Sequence, residues 1–172
     1  MLGFTFKGRH SSEFGICMKS KNRQLLPSIR QIEETIPGKH GVYDYSMGDL
    51  EDRIIEVDCA IIGDLRNKAR QIAAWLYSTQ REKLFFDDEP DKYYLAKISN
   101  RIDLEQAISL GRFTLQFKCD PFAYADKSIS YTNKPGVIII NSQGTYNTPF
   151  IISIKNNGSV NMKNIKILLY KG

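Results

Sequence analysis

The sequence predicts a mainly β fold that carries one α-helix. Three stretches carry that expectation. Between residues 53 and 62, Ile55, Val57, Cys59 and Ile61 alternate with Glu56 and Asp58, the period of two that turns one face of a strand toward a core. Between residues 111 and 119, Phe113, Leu115, Phe117 and Cys119 alternate in the same way with Thr114, Gln116 and Lys118. Between these stretches, Leu65, Ala69, Ile72, Ala73 and Leu76 recur at helical spacing over residues 65–77, with Asp64 placed to cap the first turn.

The other elements follow in chain order. Phe4, Thr5 and Phe6 alternate ahead of Gly8, which suits a short strand running into a turn, and residues 16–20 form a second short strand. Residues 28–36 are β-favouring at their ends and stop at Pro37 and Gly38, after which residues 37–48 are a loop rich in Gly, Tyr and Asp. Beyond the helix, residues 83–86 and 93–98 are strands of a hairpin around Asp87, Asp88, Glu89, Pro90, Asp91 and Lys92. Past about residue 130 the acids cease, and short strands are expected at 137–140, 150–154 and 165–169. So few residues of strand, without helix or disulfide, cannot enclose a stable core. Those strands either join the first sheet or begin a further domain; the second is favoured, so the expected organisation is a first domain over residues 1–130 and, over 131–172, the beginning of a second β domain cut short.

Composition excludes several function classes. The chain has 172 residues, 42% hydrophobic and 25% charged, which is ordinary for a folded protein. The net charge of +5 comes wholly from Lys134, Lys155, Lys163, Lys166 and Lys171, so residues 1–130 balance nineteen bases against nineteen acids. A balanced domain carries no footprint of a surface that tracks phosphates, and no specific nucleic-acid binding is expected. Cys17, Cys59 and Cys119 are too widely spaced for a zinc site or a disulfide framework and are expected as free, largely buried thiols. With neither a leader pattern nor a run of about 18 apolar residues, the expectation is a soluble chain without membrane contact.

No catalytic chemistry stands out. His40 beside Asp44 lacks a nucleophile elbow, and Pro37, Gly38, Lys39, His40 and Gly41 lack the spacing of a phosphate loop. Asp87, Asp88, Glu89 and Asp91 do not follow a calcium-loop pattern and are expected as solvated turn residues. The chain is expected to be no enzyme and to hold no cofactor or metal.

Several motifs then converge on one family. Gly3-Phe4-Thr5-Phe6 with Gly8, Ser11-Ser12-Glu13-Phe14-Gly15-Ile16, Ile36-Pro37-Gly38-Lys39-His40-Gly41 and Ile55-Glu56-Val57 resemble the start of siphophage distal tail proteins. Ala69-Arg70-Gln71-Ile72-Ala73-Ala74-Trp75-Leu76 and Leu84-Phe85-Phe86-Asp87-Asp88-Glu89-Pro90-Asp91-Lys92-Tyr93-Tyr94 are similar to its central signature, and Phe113-Thr114-Leu115-Gln116-Phe117-Lys118-Cys119-Asp120-Pro121-Phe122 closes the match. The resemblance implies a β-sandwich belt domain with one helix and a hairpin, followed by the start of a galectin-like second domain. It further implies six copies in a ring at the virion tail tip, made in the host bacterial cytoplasm, that joins the tail tube protein to tip or adhesion proteins. Within such a ring the polar projections Pro37, Gly38, Lys39 and Gly41, and Asp87, Asp88, Glu89 and Asp91, are the candidate assembly contacts. Two alternatives are another tail tube or adaptor protein, and a carbohydrate-binding module using Tyr43, Tyr45, Tyr93 and Tyr94.

Overall fold

The two alternating stretches become neighbouring strands of one antiparallel sheet. In the computed structural model, which describes residues 2–63, 65–127, 130, 144–149, 151–160, 163 and 166–168, the chain divides into two compact units, Met1–Ile129 and Ser130–Gly172. The first unit opens with β1 (Phe4–Phe6) and β2 (Arg9–His10), joined through Lys7 and Gly8. Both joining residues have positive φ, 52° and 74°, as the favoured two-residue hairpin turn requires. A 3-10 turn over Ser11–Phe14 leads through Gly15 into β3 (Ile16–Arg23). Gly15 is irreplaceable on two grounds: its φ is 73°, and a Cβ there would lie 2.3 Å from the Ile62 carbonyl oxygen.

Next come β4 (Glu33–Glu34) and β5 (Tyr43–Asp44), which pair only with each other, then β6 (Arg53–Ile61) and the helix α1 (Leu65–Leu76). After these come β7 (Glu82–Phe86), β8 (Glu89–Ile98), a short helix α2 (Leu104–Leu110), β9 (Arg112–Cys119) and β10 (Tyr124–Ala125). The main sheet runs β2-β1-β7-β8-β9-β6-β3, with β10 added to β8. β6 and β9 pair over eight positions, from Arg53 opposite Cys119 to Ala60 opposite Arg112, so their apolar faces coincide.

This sheet curls until its two halves face each other. The rings of Phe4 and Phe6 in β1 each lie 5.5 Å from Phe117 in β9, although two strands separate β1 from β9 in the order. At the seam, the Met18 amide of β3 donates to the Leu2 carbonyl at 3.1 Å. The result is the mainly β, sandwich-like architecture expected of the sequence, with Ile55, Val57, Cys59, Leu84, Phe86, Leu115, Phe117 and Cys119 enclosed between the layers. Burial of each large aliphatic or aromatic side chain there contributes about 1.5–3 kcal/mol.

α1 closes one end of that core through Trp75. Its ring stacks on Phe14 at 4.3 Å and on Phe4 at 5.7 Å, and its indole N–H donates to the Phe6 carbonyl at 2.8 Å. The buried face of the helix is therefore Ile72, Trp75 and Leu76, whereas Ala73, expected inside, is exposed. The bulk and single donor of Trp75 set the rotation of the helix about its axis, which the smaller alanine cannot do. Lys7 donates to the Tyr77 carbonyl at 2.9 Å, a cation at the negative end of the helix.

Other expectations are revised. The β7–β8 turn contains only Asp87 and Asp88, because β8 begins at Glu89 and bulges before the Phe85–Tyr93 pair. α2 adds a second helix that the sequence pattern did not reveal, since it is only seven residues long. The described residues in 150–154 and 166–168 form no strand, and the strand expected at 137–140 and the Asp64 cap lie outside the described residues. Among the described residues no helix is long and apolar enough to cross a membrane.

Candidate assembly surface

Two parts of the first unit project polar and apolar groups that its own core does not use. One is the turn between β7 and β8. Asp87 accepts the Gly3 amide at 2.6 Å and meets His10 Nε2 at 3.2 Å. Asp88 pairs with Lys21 at 2.5 Å, and the Lys21 ammonium sits over the Phe86 ring at 4.5 Å. Glu89 pairs with Arg23 at 2.5 Å and with Lys92 at 3.2 Å, and Arg23 also donates to the Tyr94 hydroxyl at 3.0 Å.

The four acids expected as one polar projection are thus spread over several partners and make no common cavity for a cation. Among the described residues no cluster of three or more metal-ligating side chains forms. The Lys21 hydrogen bond holds the Asp88 carboxyl below the usual carboxylate range. Burial pushes Glu89 up, but the Arg23 and Lys92 hydrogen bonds outweigh it and leave the group lowered. These pairs tie the outer half of β3 to the hairpin, while backbone pairing with β6 as far as Arg23 opposite Ile55 carries β3 past the Ser20 end expected from the sequence. The sequence shows the charges but not their pairing, since Lys21 and Asp88 are 67 residues apart.

The other part is a ribbon over residues 28–51. Its two arms are zipped by Glu51 N–H to Ser28 O at 2.8 Å, Arg30 N–H to Asp49 O at 2.7 Å and Tyr45 N–H to Ile32 O at 2.7 Å, with β4 and β5 toward the tip. The tip carries Pro37, Gly38, Lys39 and Gly41, with Gly38 and Gly41 at φ 84° and 81°. Lys39 Nζ lies 3.1 Å from the centroid of the Tyr43 ring, and Tyr43 stacks on Tyr45 at 6.2 Å. From residue 28 to residue 49 every side chain except Ser46 is exposed, among them Ile29, Ile32, Ile36, Val42, Tyr43, Tyr45 and Met47. Sequence reading missed this, because periodicity shows which residues share a face and not whether anything in the chain packs over that face.

The ribbon also separates the other candidates. No hydrogen bond joins His40 to Asp44, whose carboxyl is instead lowered by hydrogen bonds from Ser46. Of the four tyrosines considered for sugar stacking, Tyr94 is buried and Tyr93 is packed between Phe85 and Tyr124, which leaves Tyr43 and Tyr45. On the body lies an open groove of about 580 Å³, with Ile102, Leu110 and Phe113 as its apolar part and Lys19, Arg101 and Arg112 around it.

Comparison with known proteins agrees with this architecture. The chain resembles the crystal structure of SPP1 Dit (gp 19.1), described as a paradigm of the hub adsorption apparatus in phages that infect Gram-positive bacteria. The TM-score is 0.60 at 22% identity over 73% of this chain, and the chain spans about half (52%) of that structure's length. No curated protein matches. Residues 10–119, which include the ribbon and β3, β6, β7, β8 and β9 of the main sheet, match the phage tail protein RIFT-related domain, and the chain belongs to that family of phage tail proteins.

Proposed function

We propose that this protein is a ring-forming structural subunit of the distal tail type, which links the tail tube to the tip or adhesion apparatus and catalyses no reaction. The observation that carries this reading is the tail-protein family match over residues 10–119, which takes in β3 and β6 to β9 of the main sheet. The likeness of the fold to a hub protein supports the distal position over the tube. A ring closed by rotation needs two different surfaces on each copy, one meeting the other on its neighbour. The tip residues Pro37, Gly38, Lys39 and Gly41 and the hairpin residues Asp87, Asp88, Glu89 and Asp91 are the proposed contacts, among copies of this chain or to the tail tube protein and tip proteins. Because Asp88 and Glu89 are already paired within the chain, the hairpin would act through its backbone and Asp91. Residues 131–172 are proposed as the start of a second domain.

The test is light scattering of the full chain over a range of concentration, with negative-stain images of large species. Discrete rings are expected, six-membered in the reading above. Long stacked tubes would transfer the protein to the tube class, and a chain that stays monomeric alone and with tail tube protein overturns the proposal.

A further inference from the structure

The ribbon and the groove are complementary in two independent respects. In the ribbon, the stacked Tyr43 and Tyr45 lie beside acids, with Glu34 opposite Tyr43 and Glu33 opposite Asp44, while the Lys39 ammonium sits over the Tyr43 ring. Residues 28–51 hold five acids against two bases, while the remainder of residues 1–129 holds seventeen bases against fourteen acids. Glu33 and Glu34 make no ion pair among the described residues.

The groove reverses this arrangement. Its apolar part includes Leu110, 54% exposed, beside Ile102 and Phe113. Lys19, Arg101 and Arg112 surround it without an ion pair among the described residues. Two acids line it as well: Asp58, whose carboxylate accepts at 2.7 Å from both Ser20 and Thr114, and Asp103, so the bases outnumber the acids by three to two. An aromatic pair on a ribbon with an excess of acids is therefore complementary to an apolar hollow with an excess of bases.

We propose that the ribbon of one copy docks by Tyr43 and Tyr45 into the Lys19–Arg101–Arg112 groove of a second copy of this chain. The occupant is a second copy because the excess negative charge of the ribbon is matched by an excess positive charge on the same domain, and because the ribbon's own body leaves it exposed. Ribbon and groove are different surfaces, so the contact is heterologous and can propagate around a ring. Aromatic anchors seated in a pocket carry a large share of the energy of such contacts, and opposed charges set their register. The inference rests on the self-assembling function proposed above.

The experiment measures the concentration dependence of solution mass for the full chain and three variants, each checked for native circular dichroism. Tyr43→Ser with Tyr45→Ser, and separately Arg101→Glu with Arg112→Glu, are each expected to raise the dissociation constant by about 30-fold or more, the effect of losing a central contact. A chain carrying Glu33→Lys, Glu34→Lys, Arg101→Glu and Arg112→Glu together restores the attraction with both signs reversed. It is expected to recover association to within about tenfold of the unmodified chain. If the unmodified chain associates and the first two variants do so equally well, the docking is wrong while the ring function stands. If the unmodified chain never associates, both fall, and glycan binding lost on Tyr45→Ser would assign the tyrosine pair to a sugar.

Discussion

In β6, every second side chain from Arg53 to Cys59 is buried, whereas from residue 28 to residue 49, just upstream, Ser46 alone escapes full exposure. Both regions are β structure, and both are rich in isoleucine, valine or tyrosine. They differ in what lies across from them. β6 has β3 on one side, β9 on the other and the facing layer of the curled sheet above it. The ribbon has only its own two arms, and a lone two-stranded ribbon is marginal in water. Apolar residues kept in a region without a core point to a surface that is completed by something else.

The largest expected effect lies on the core side of this contrast. Trp75→Ala removes the ring stacked between Phe14 and Phe4 together with the donor to the Phe6 carbonyl. A loss of about 3–5 kcal/mol is expected in urea unfolding. A loss below 1 kcal/mol would mean that α1 is as dispensable to the core as the ribbon is. Next is Gly15→Ala, where the left-handed backbone alone costs about 1–3 kcal/mol. The approach to the Ile62 carbonyl adds to that cost, and a lowered melting temperature checks it.

Smaller again is the response to acid. Asp88 and Glu89 have folded pKa values below their unfolded ones, so their contribution is present above the unfolded pKa, near 4, and is lost as pH falls through the folded values. Amide protection factors, corrected for the intrinsic pH dependence of exchange, are expected to fall in the β7–β8 turn and outer β3 below about pH 4 before the core opens. Equal protection at pH 3 and pH 7 would show that these pairs hold nothing. The smallest effect is expected in the ribbon: Ile32→Ser should change the stability of the isolated chain by less than about 0.5 kcal/mol. A larger loss would mean that the ribbon packs on the body in solution.

The thiols give a separate readout of the same contrast. Burial pushes Cys59 and Cys119 up to about 12, so neither is expected to react with a maleimide at pH 7 until the whole sheet unfolds. An engineered cysteine at Met47, 90% exposed, should react at once.

The sequence by itself determined the mainly β class, the two central strands, their inward faces and the one amphipathic helix. Strict alternation over eight or nine residues leaves a half-buried strand a single sensible orientation, because a shift by one residue would expose the whole apolar set. The sequence also carried the family resemblance, since the order of short motifs is a property of the chain alone. Tertiary structure decided the rest. Trp75 rather than Ala73 became the inward residue because Phe4 and Phe14, more than sixty residues away, form the slot it fills. The acids of the β7–β8 turn became internal braces because the sheet curls and brings Lys21 and Arg23 across from them. The apolar residues of the ribbon stayed outside because nothing in the first unit packs over them, a matter of what surrounds a residue and not of the residue itself.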